Sequence, residues 1–282
     1  MNARSEIDFA TLDTRRSTKL EAIGVSVSVG DKKLLQSATC TFQSGQVTAI
    51  VGPNGAGKST LMSVLTGERT PSAGSIQWQG RALQNLPLAE LARVRAFVAQ
   101  ETQVAFDFTV REVVELGRYP HRRQPSTREA HIPALAMEST HVNDLASRAL
   151  NTLSGGEKAR THLARALAQV WESTSALQAR WLLLDEPTAA LDLQHQHRVL
   201  QLARTWAQKQ QIGVVAVLHD LNLALRYSDC TVLLADGQLL AQGKSPDVLT
   251  PERIAQVWGV TAHPVVRGGL LQYVFEPGAD TL

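Results

Sequence analysis

The sequence predicts an α/β protein with a parallel or mixed central sheet, and three observations carry that prediction. The runs WLLL (181–184) and VVAVL (214–218) are near-continuously apolar, as strands covered on both faces must be. A third run, VTAIV (47–51), enters a glycine-rich turn and then the amphipathic stretch TLMSVLTG (60–67), a strand–turn–helix succession. With 282 residues and 44% apolar content, the chain can bury one large domain or two modest ones.

In chain order, the first 18 residues are polar and patternless and read as a flexible tail; their scattered charges and missing apolar stretch argue against a secretory signal. From residue 20 to 51, alternating segments such as VSVSV (25–29) are separated by glycine-containing turns, and SIQWQG (75–80) adds a further strand and turn. These form a small sheet leading into the glycine loop. Between 101 and 151 the composition changes to helix formers, histidines, arginines and a few prolines, which predicts an inserted helical part reaching to about residue 160. TVLLADGQLLAQG (231–243) reads as two strands around an Asp-Gly turn, and a short helix is expected after Ser245-Pro246. The main domain is therefore placed at 19–243, with 244–282 as an appendage packed on the core; its last twenty residues carry no assigned pattern.

Composition narrows the function classes. Lys and Arg number 28 against 26 acidic residues, a formal charge of +2 that gives only weak support for a nucleic-acid partner. Cys40 and Cys230 lie far apart in apolar or strand-like contexts and fit buried thiols in a reducing compartment better than a disulfide. The longest apolar stretches, such as IGVVAVL (212–218), fall far short of the roughly 20 residues needed to span a bilayer, so a membrane role would be peripheral.

The chemistry concentrates in three motifs. Gly52-Pro53-Asn54-Gly55-Ala56-Gly57-Lys58-Ser59 fits G-x-x-x-x-G-K-[ST] without a mismatch, in the strand-to-helix context that the pattern requires. Its glycines let the backbone wrap phosphate oxygens and aim N–H groups and a helix dipole at them. Lys58 neutralises phosphate charge, Ser59 can ligate Mg²⁺, and Thr60 adds a second hydroxyl within reach. In WLLLDEP (181–187) an apolar strand ends in two acids: Asp185 can hold magnesium through water, while Glu186 can polarise an attacking water. The third motif, LSGGEKAR (153–160), places Ser154, Gly155 and Gly156 at a helix start that could seat another phosphate, or serve only as an N-cap with Glu157 completing a capping box.

Together these motifs, with Gln100, AALD (189–192) and His219 in the same order, resemble the ATP-binding cassette ATPases over about residues 19–243. The resemblance implies a P-loop fold with a RecA-like core, an antiparallel β subdomain and a helical subdomain. It implies ATP and Mg²⁺ as ligands and a head-to-tail homodimer in which the loop at 52–59 faces Ser154, Gly155, Gly156 and Glu157 of the other copy. By the same likeness, Glu186, His219 and Gln100 are the catalytic set: His219 senses the γ-phosphate, and Gln100 links magnesium and water to the helical subdomain. Ser59, Gln100 and Asp185 are the magnesium set, and Asp192 belongs to a loop crossing the dimer interface.

FDFTVREVVELGRYPHR (106–122), WLLLDEPTAALDLQHQH (181–197) and GVVAVLHDLNLALRYSD (213–229) are similar to the iron-siderophore, cobalamin and haem import branch. The extra residues before the acidic strand favour haemin. That implies two permease subunits, indirect coupling to a periplasmic haem-binding protein, and a peripheral place on the cytoplasmic side of the bacterial inner membrane. Neither a Cys-Pro nor a paired-His haem motif is present, so direct haem binding is not expected. A siderophore or cobalamin importer, and a soluble cassette protein of DNA repair or translation, stay as alternatives; the single cassette and short insertion disfavour the latter.

Val29 stands where the family offers an aromatic ring to adenine, so base contact with little purine selectivity is expected and GTP use stays open. His195 and His197 are i,i+2 and share no helix face, which argues against zinc. Arg118, His121, Arg122 and Arg123 read as a basic patch, a solvated face or a permease contact ahead of a nucleic-acid contact. Trp78, Trp171, Trp206 and Trp258 read as packing residues.

Overall fold

The computed structural model describes residues 19–99, 107–172, 179–189 and 191–278. The chain opens with strands β1 (Lys19–Val29), β2 (Lys32–Gln43) and β3 (Val47–Val51), then helix α1 (Lys58–Leu65). Strands β4 (Ala73–Trp78) and β5 (Arg81–Ala82), helix α2 (Leu88–Val94) and strand β6 (Arg95–Val98) follow. Helices α3 (Val110–Leu116), α4 (Ile132–Ser139) and α5 (Gly155–Gln169) come next, then β7 (Trp181–Asp185), α6 (Leu193–Gln210), β8 (Gly213–Val217) and α7 (Leu221–Tyr227). The chain closes with β9 (Cys230–Ala235), β10 (Gln238–Lys244), α8 (Ser245–Val248), α9 (Pro251–Trp258), β11 (Val260–Arg267) and β12 (Leu270–Pro277).

The core sheet runs β10-β9-β3-β8-β7-β6, parallel from β9 to β6 with β10 antiparallel at the edge. Its central strands are continuous apolar runs because period-two alternation sends neighbouring residues into two different cores. Along β7, Trp181 and Leu183 enter one cluster while Leu182 and Leu184 enter the other; along β8, Val215 and Val217 part from Val214 and Ala216 in the same way. One cluster lies under the antiparallel sheet β2-β1-β4-β5 and includes α1; the other packs α3, α4 and α5 with α6 and α7. This is the RecA-like core with an antiparallel and a helical subdomain.

The antiparallel sheet is tied to the edge of the core sheet at two places, the Gln36 N–H donating to the Gly237 carbonyl at 2.7 Å and Gln242 pairing with Thr41. Gln242 on β10 accepts from the Thr41 backbone N–H through Oε1 and donates to the Thr41 carbonyl through Nε2, a side-chain copy of a β-ladder rung. The Asp236-Gly237 turn between β9 and β10 has φ of 49° and 73° at its two central residues, the left-handed pair that a two-residue hairpin needs. Residues 260–277, which carry no clear pattern in sequence, form the hairpin β11–β12. An isolated hairpin is marginal in water. This one is held by Tyr273, whose hydroxyl donates to the Leu249 carbonyl at 2.8 Å and whose backbone is clamped at both polar atoms by the Asn222 amide.

The four tryptophans read as packing residues are buried or half-buried: Trp171 meets Trp206 edge-on at 4.8 Å and Trp78 meets Trp181 at 6.1 Å. Trp181 imposes a constraint on its neighbour, because a Cβ at Gly213 would lie 2.4 Å from the indole. Gly213→Ala is expected to cost about 1–3 kcal/mol through overpacking, measured by urea unfolding. Adding Trp181→Leu should recover part of that loss, and strictly additive costs would contradict the account.

Candidate active site

Three loops converge at the carboxyl edge of the parallel strands. Ile50 on β3 and Asp185 on β7 are both paired in register with Val217 on β8, so the loop after β3 and the acids after β7 flank the end of β8. Across two strand spacings that separation is about 10 Å. His219, two residues past β8, emerges between them. Its Nε2 lies 2.6 Å from Glu186 Oε1. Ligands of open α/β sheets bind in this crevice outside the carboxyl ends.

The loop at 52–60 owes its shape to contacts that a side chain would prevent. A Cβ on Gly52 would sit 2.1 Å from the Leu234 carbonyl oxygen, and one on Gly57 would sit 2.8 Å from that of Leu34. Gly57 also has φ of 98°, which only glycine adopts without strain. Lys58 is buried, and its ammonium donates to the carbonyls of Gly52 and Pro53, both at 2.9 Å. The lysine thus braces the loop from within. α1 begins with neither a side-chain cap nor an acid in its first turn, so its orphan N–H groups and dipole are left for an anion. Asn54, Gly55 and Ser59 are exposed at the surface of the loop, Pro53 and Thr60 half-buried, and Ala56 buried beneath it.

Charge binds the two halves of the site together. Burial pushes the Lys58 ammonium below the usual lysine range, and the nearby Glu186 and Asp185 carboxylates oppose that. Burial also pushes Asp185 above the ordinary carboxylate range, reinforced by Glu186 and offset by Lys58. Asp185 Oδ1 is buried without a hydrogen-bond partner among the described residues. Glu186 has φ of 50°, unusual for a residue with a side chain, as the chain turns into Pro187. A strained acid at a strand end is the arrangement found where a carboxylate must be aimed rather than merely packed.

Ser154, Gly155, Gly156 and Glu157 start α5, and the capping box is complete. Ser154 Oγ accepts the Glu157 N–H at 3.3 Å, and Glu157 Oε2 accepts the Ser154 N–H at 2.8 Å. Asp192 caps α6 by accepting the His195 N–H at 2.9 Å and contacts His195 Nδ1 at 2.8 Å. His197 turns its Nδ1 to the Tyr227 hydroxyl instead, at 2.7 Å. Val29 ends β1 with more than half its surface exposed, on the same hairpin as the Leu34 carbonyl that abuts Gly57. Among the described residues, Ser154–Glu157, Asp192 and Val29 make no hydrogen bond or ion pair with the loop at 52–60 of their own chain. Gln100 lies outside the described residues.

The expected basic patch is corrected. Arg118 and His121 are buried, at 7% and 1% exposure. Arg118 grips both oxygens of Glu129 at 2.8 Å and donates to the Ala168 carbonyl, while the His121 ring lies 2.8 Å from the Gln169 carbonyl. The reason is the end of α5, whose last carbonyls need donors and recruit these cations from a distant part of the chain. Only Arg122 and Arg123 of the four are exposed, with Arg122 stacked over Tyr119 at 4.2 Å. Asn222, which fastens α7 just after His219 to β12, was not singled out in the sequence, since nothing local marks an amide that serves a strand 51 residues away.

A phosphate loop, a paired acid and a histidine at one crevice of a RecA-like core define a nucleotide-hydrolysing cassette, and residues 35–189 match the ABC transporter family, to which this chain belongs. It is an ATPase subunit whose hydrolysis is coupled to transport, and no described helix is long and apolar enough to cross a membrane. The hemin import ATP-binding protein HmuV of Methylobacillus flagellatus is 45% identical over 236 residues, covering 83% of this chain and 87% of that protein. HmuV of Gloeobacter violaceus is 48% identical over 250 residues, covering 87% and 90%. Among solved structures, the dimeric structure of MJ0796, a bacterial ABC transporter cassette, is 25% identical with a TM-score of 0.70, covering 80% of this chain and 98% of that one.

The capping box yields a pH signature. Glu157 is held below the ordinary carboxylate range by the Ser154 N–H first and its hydroxyl second. A depressed carboxylate contributes stability that is present above its unfolded value and lost as pH falls through the folded one. Glu157→Gln, which keeps the Ser154 hydroxyl cap and removes the titrating carboxylate, is expected to be less stable than wild type near neutrality, with the gap narrowing as pH falls below the ordinary glutamate range. Urea unfolding across pH checks this, and a pH-independent gap would contradict it.

Proposed function

We propose that this chain is the ATP-hydrolysing subunit of a haemin importer. In this reading it works as a head-to-tail homodimer on two permease subunits, at the cytoplasmic face of a bacterial inner membrane, and is served indirectly by a periplasmic haem-binding protein. The observation that carries the catalytic part is the convergence of Lys58, Asp185, Glu186 and His219 at one sheet edge. The haemin assignment rests on the relatives, which are named for hemin import.

The residues present suit magnesium. Asp185 offers a buried, unpartnered carboxylate oxygen and Ser59 an exposed hydroxyl at the loop's end, and a hard cation that completes its shell with phosphate oxygens and water needs no more protein ligands than that. Ser59 and Asp185 would hold it, with Gln100 as the third member of the set. Held there, the ion would supply positive charge to offset the negative charge that develops on the phosphate oxygens.

The chain's own groups then divide the work. Backbone N–H groups from Gly52 to Thr60 cradle the phosphates, and Lys58 turns its ammonium from the loop carbonyls toward them. Glu186 holds and polarises the attacking water, aimed by its strained backbone and its bond to His219. His219 donates toward the γ-phosphate, and Val29 lies against the base. Ser154, Gly155, Gly156, Glu157 and Asp192, which face no phosphate loop within their own chain, meet the partner copy's nucleotide across the dimer.

The permease contact is proposed at a groove of about 490 Å³ between α2–β6 and α3–α5, lined by Leu88, Phe97, Leu116 and Arg165 among others. Leu88 is 80% exposed and Leu116 49%. An amphipathic helix of a membrane subunit would cover Leu88 and Leu116 with its apolar face and meet Glu68, Arg95 and Arg165 with its polar one.

The test is reconstitution of the chain with its permease and binding protein in liposomes. Haemin uptake should require ATP, and Glu186→Gln should keep ATP binding while lowering turnover by at least about 100-fold. Leu116→Asp should leave the isolated chain's hydrolysis intact but uncouple it from haemin. Uptake of only an iron-siderophore or cobalamin would overturn the cargo, and near-normal turnover in Glu186→Gln would overturn the catalytic assignment.

A further inference from the structure

We propose that the cleft between α4–α5 and α6–α7 is a second binding site, for a small amphipathic anion with a flat apolar body and one acidic group. The cavity measures about 450 Å³, within the range of small-molecule pockets. One wall comes from the end of α4 and the middle of α5, the other from α6 with Tyr227 of α7.

The chemistry of the lining selects the ligand. Leu163, Val199, Leu202 and the Tyr227 ring supply apolar surface. The basic side chains on the wall are Arg160, Arg198, His141 and His197, with no Asp or Glu among the described lining residues. Arg160 Nε is buried without a hydrogen-bond partner among the described residues. A guanidinium N–H left unpaired away from water costs free energy that an anionic acceptor would recover. Glu157 and Asp192 are within electrostatic reach of Arg160, but neither lines the cavity, and each commits one carboxylate oxygen, Oε2 and Oδ1 respectively, to its own helix cap. A purely apolar ligand would leave Arg160 unanswered, and a small inorganic anion would leave the apolar wall wet.

The site is separate from the nucleotide crevice yet mechanically tied to it. Arg160 sits on α5, the helix that Ser154 caps, and Arg198 sits on α6, the helix that Asp192 caps. An occupant therefore bridges the two helices whose starts are proposed to face the partner's nucleotide. Bridging makes its affinity depend on nucleotide, and the dependence is reciprocal.

The full-length chain can be titrated with 8-anilinonaphthalene-1-sulfonate and, in parallel, with its neutral analogue N-phenyl-1-naphthylamine, both followed by fluorescence. One saturable sulfonate site per chain is expected, weakened about tenfold by Arg160→Gln and by Arg198→Gln, with the neutral probe changed little. Arg198 is exposed, so its variant keeps the test decisive should Arg160→Gln fail to fold. Absence of a one-to-one site, or sulfonate binding unaffected by Arg198→Gln, would overturn the proposal. In Glu186→Gln protein, magnesium and ATP should shift the sulfonate affinity by about threefold or more, whereas equal affinities would overturn the bridging of the two helices.

Discussion

Everything in the site depends on β8 lying between β3 and β7 in a parallel sheet. That order puts the phosphate loop, the paired acids and His219 at one edge without any of them being near another in sequence. A parallel sheet requires crossover connections, and crossovers require both faces to be covered. The two hydrophobic clusters are therefore a condition of the active site as well as a source of stability. Trp181 illustrates the link: its indole fills the cluster beneath the antiparallel sheet, forces a glycine at position 213, and begins the strand that ends in Asp185.

Electrostatics at the crevice follow from that burial. Lys58 and Asp185 each resist their charged form where desolvation dominates, and each is helped back toward it by the other. A polyanion arriving with a divalent cation would satisfy both, which is the physical sense in which the site is poised for its ligand. The segment at 154–157 solves a different problem. Its serine and glutamate cap a 15-residue helix, so the same residues that would meet a partner's phosphate already stabilise their own fold. Capping and recognition are compatible because the Ser154 hydroxyl takes up the Glu157 N–H, while a helix start has further orphan N–H groups that an anion can use.

Much of this was legible in the sequence, for local reasons. The loop octet and the acidic strand end announce themselves because phosphate chemistry fixes residue types at fixed short spacing, and the two-faced strands because their hydrophobicity cannot alternate. What was not legible depends on partners far along the chain. Arg118 looks like a surface charge until Glu129 and the Ala168 carbonyl, 11 and 50 residues away, are brought to it. The hairpin at 260–277 hides because only Ala262 and Tyr273 of it are buried, leaving no periodicity to read. The hydrogen bonds of Asn222 that seat this hairpin beside α7 cannot be inferred from any local pattern.

The loop at 52–60 and the acids at 185–186 are proposed to make a single site for magnesium and ATP. Calorimetric titration of ATP into the Glu186→Gln chain, with and without magnesium, measures this most directly when repeated with Asp185→Asn added. The account predicts that magnesium tightens ATP binding in the first protein and that Asp185→Asn removes most of that gain while leaving metal-free binding in place. An undiminished magnesium effect in the double variant would mean that the two loops do not act on one ligand.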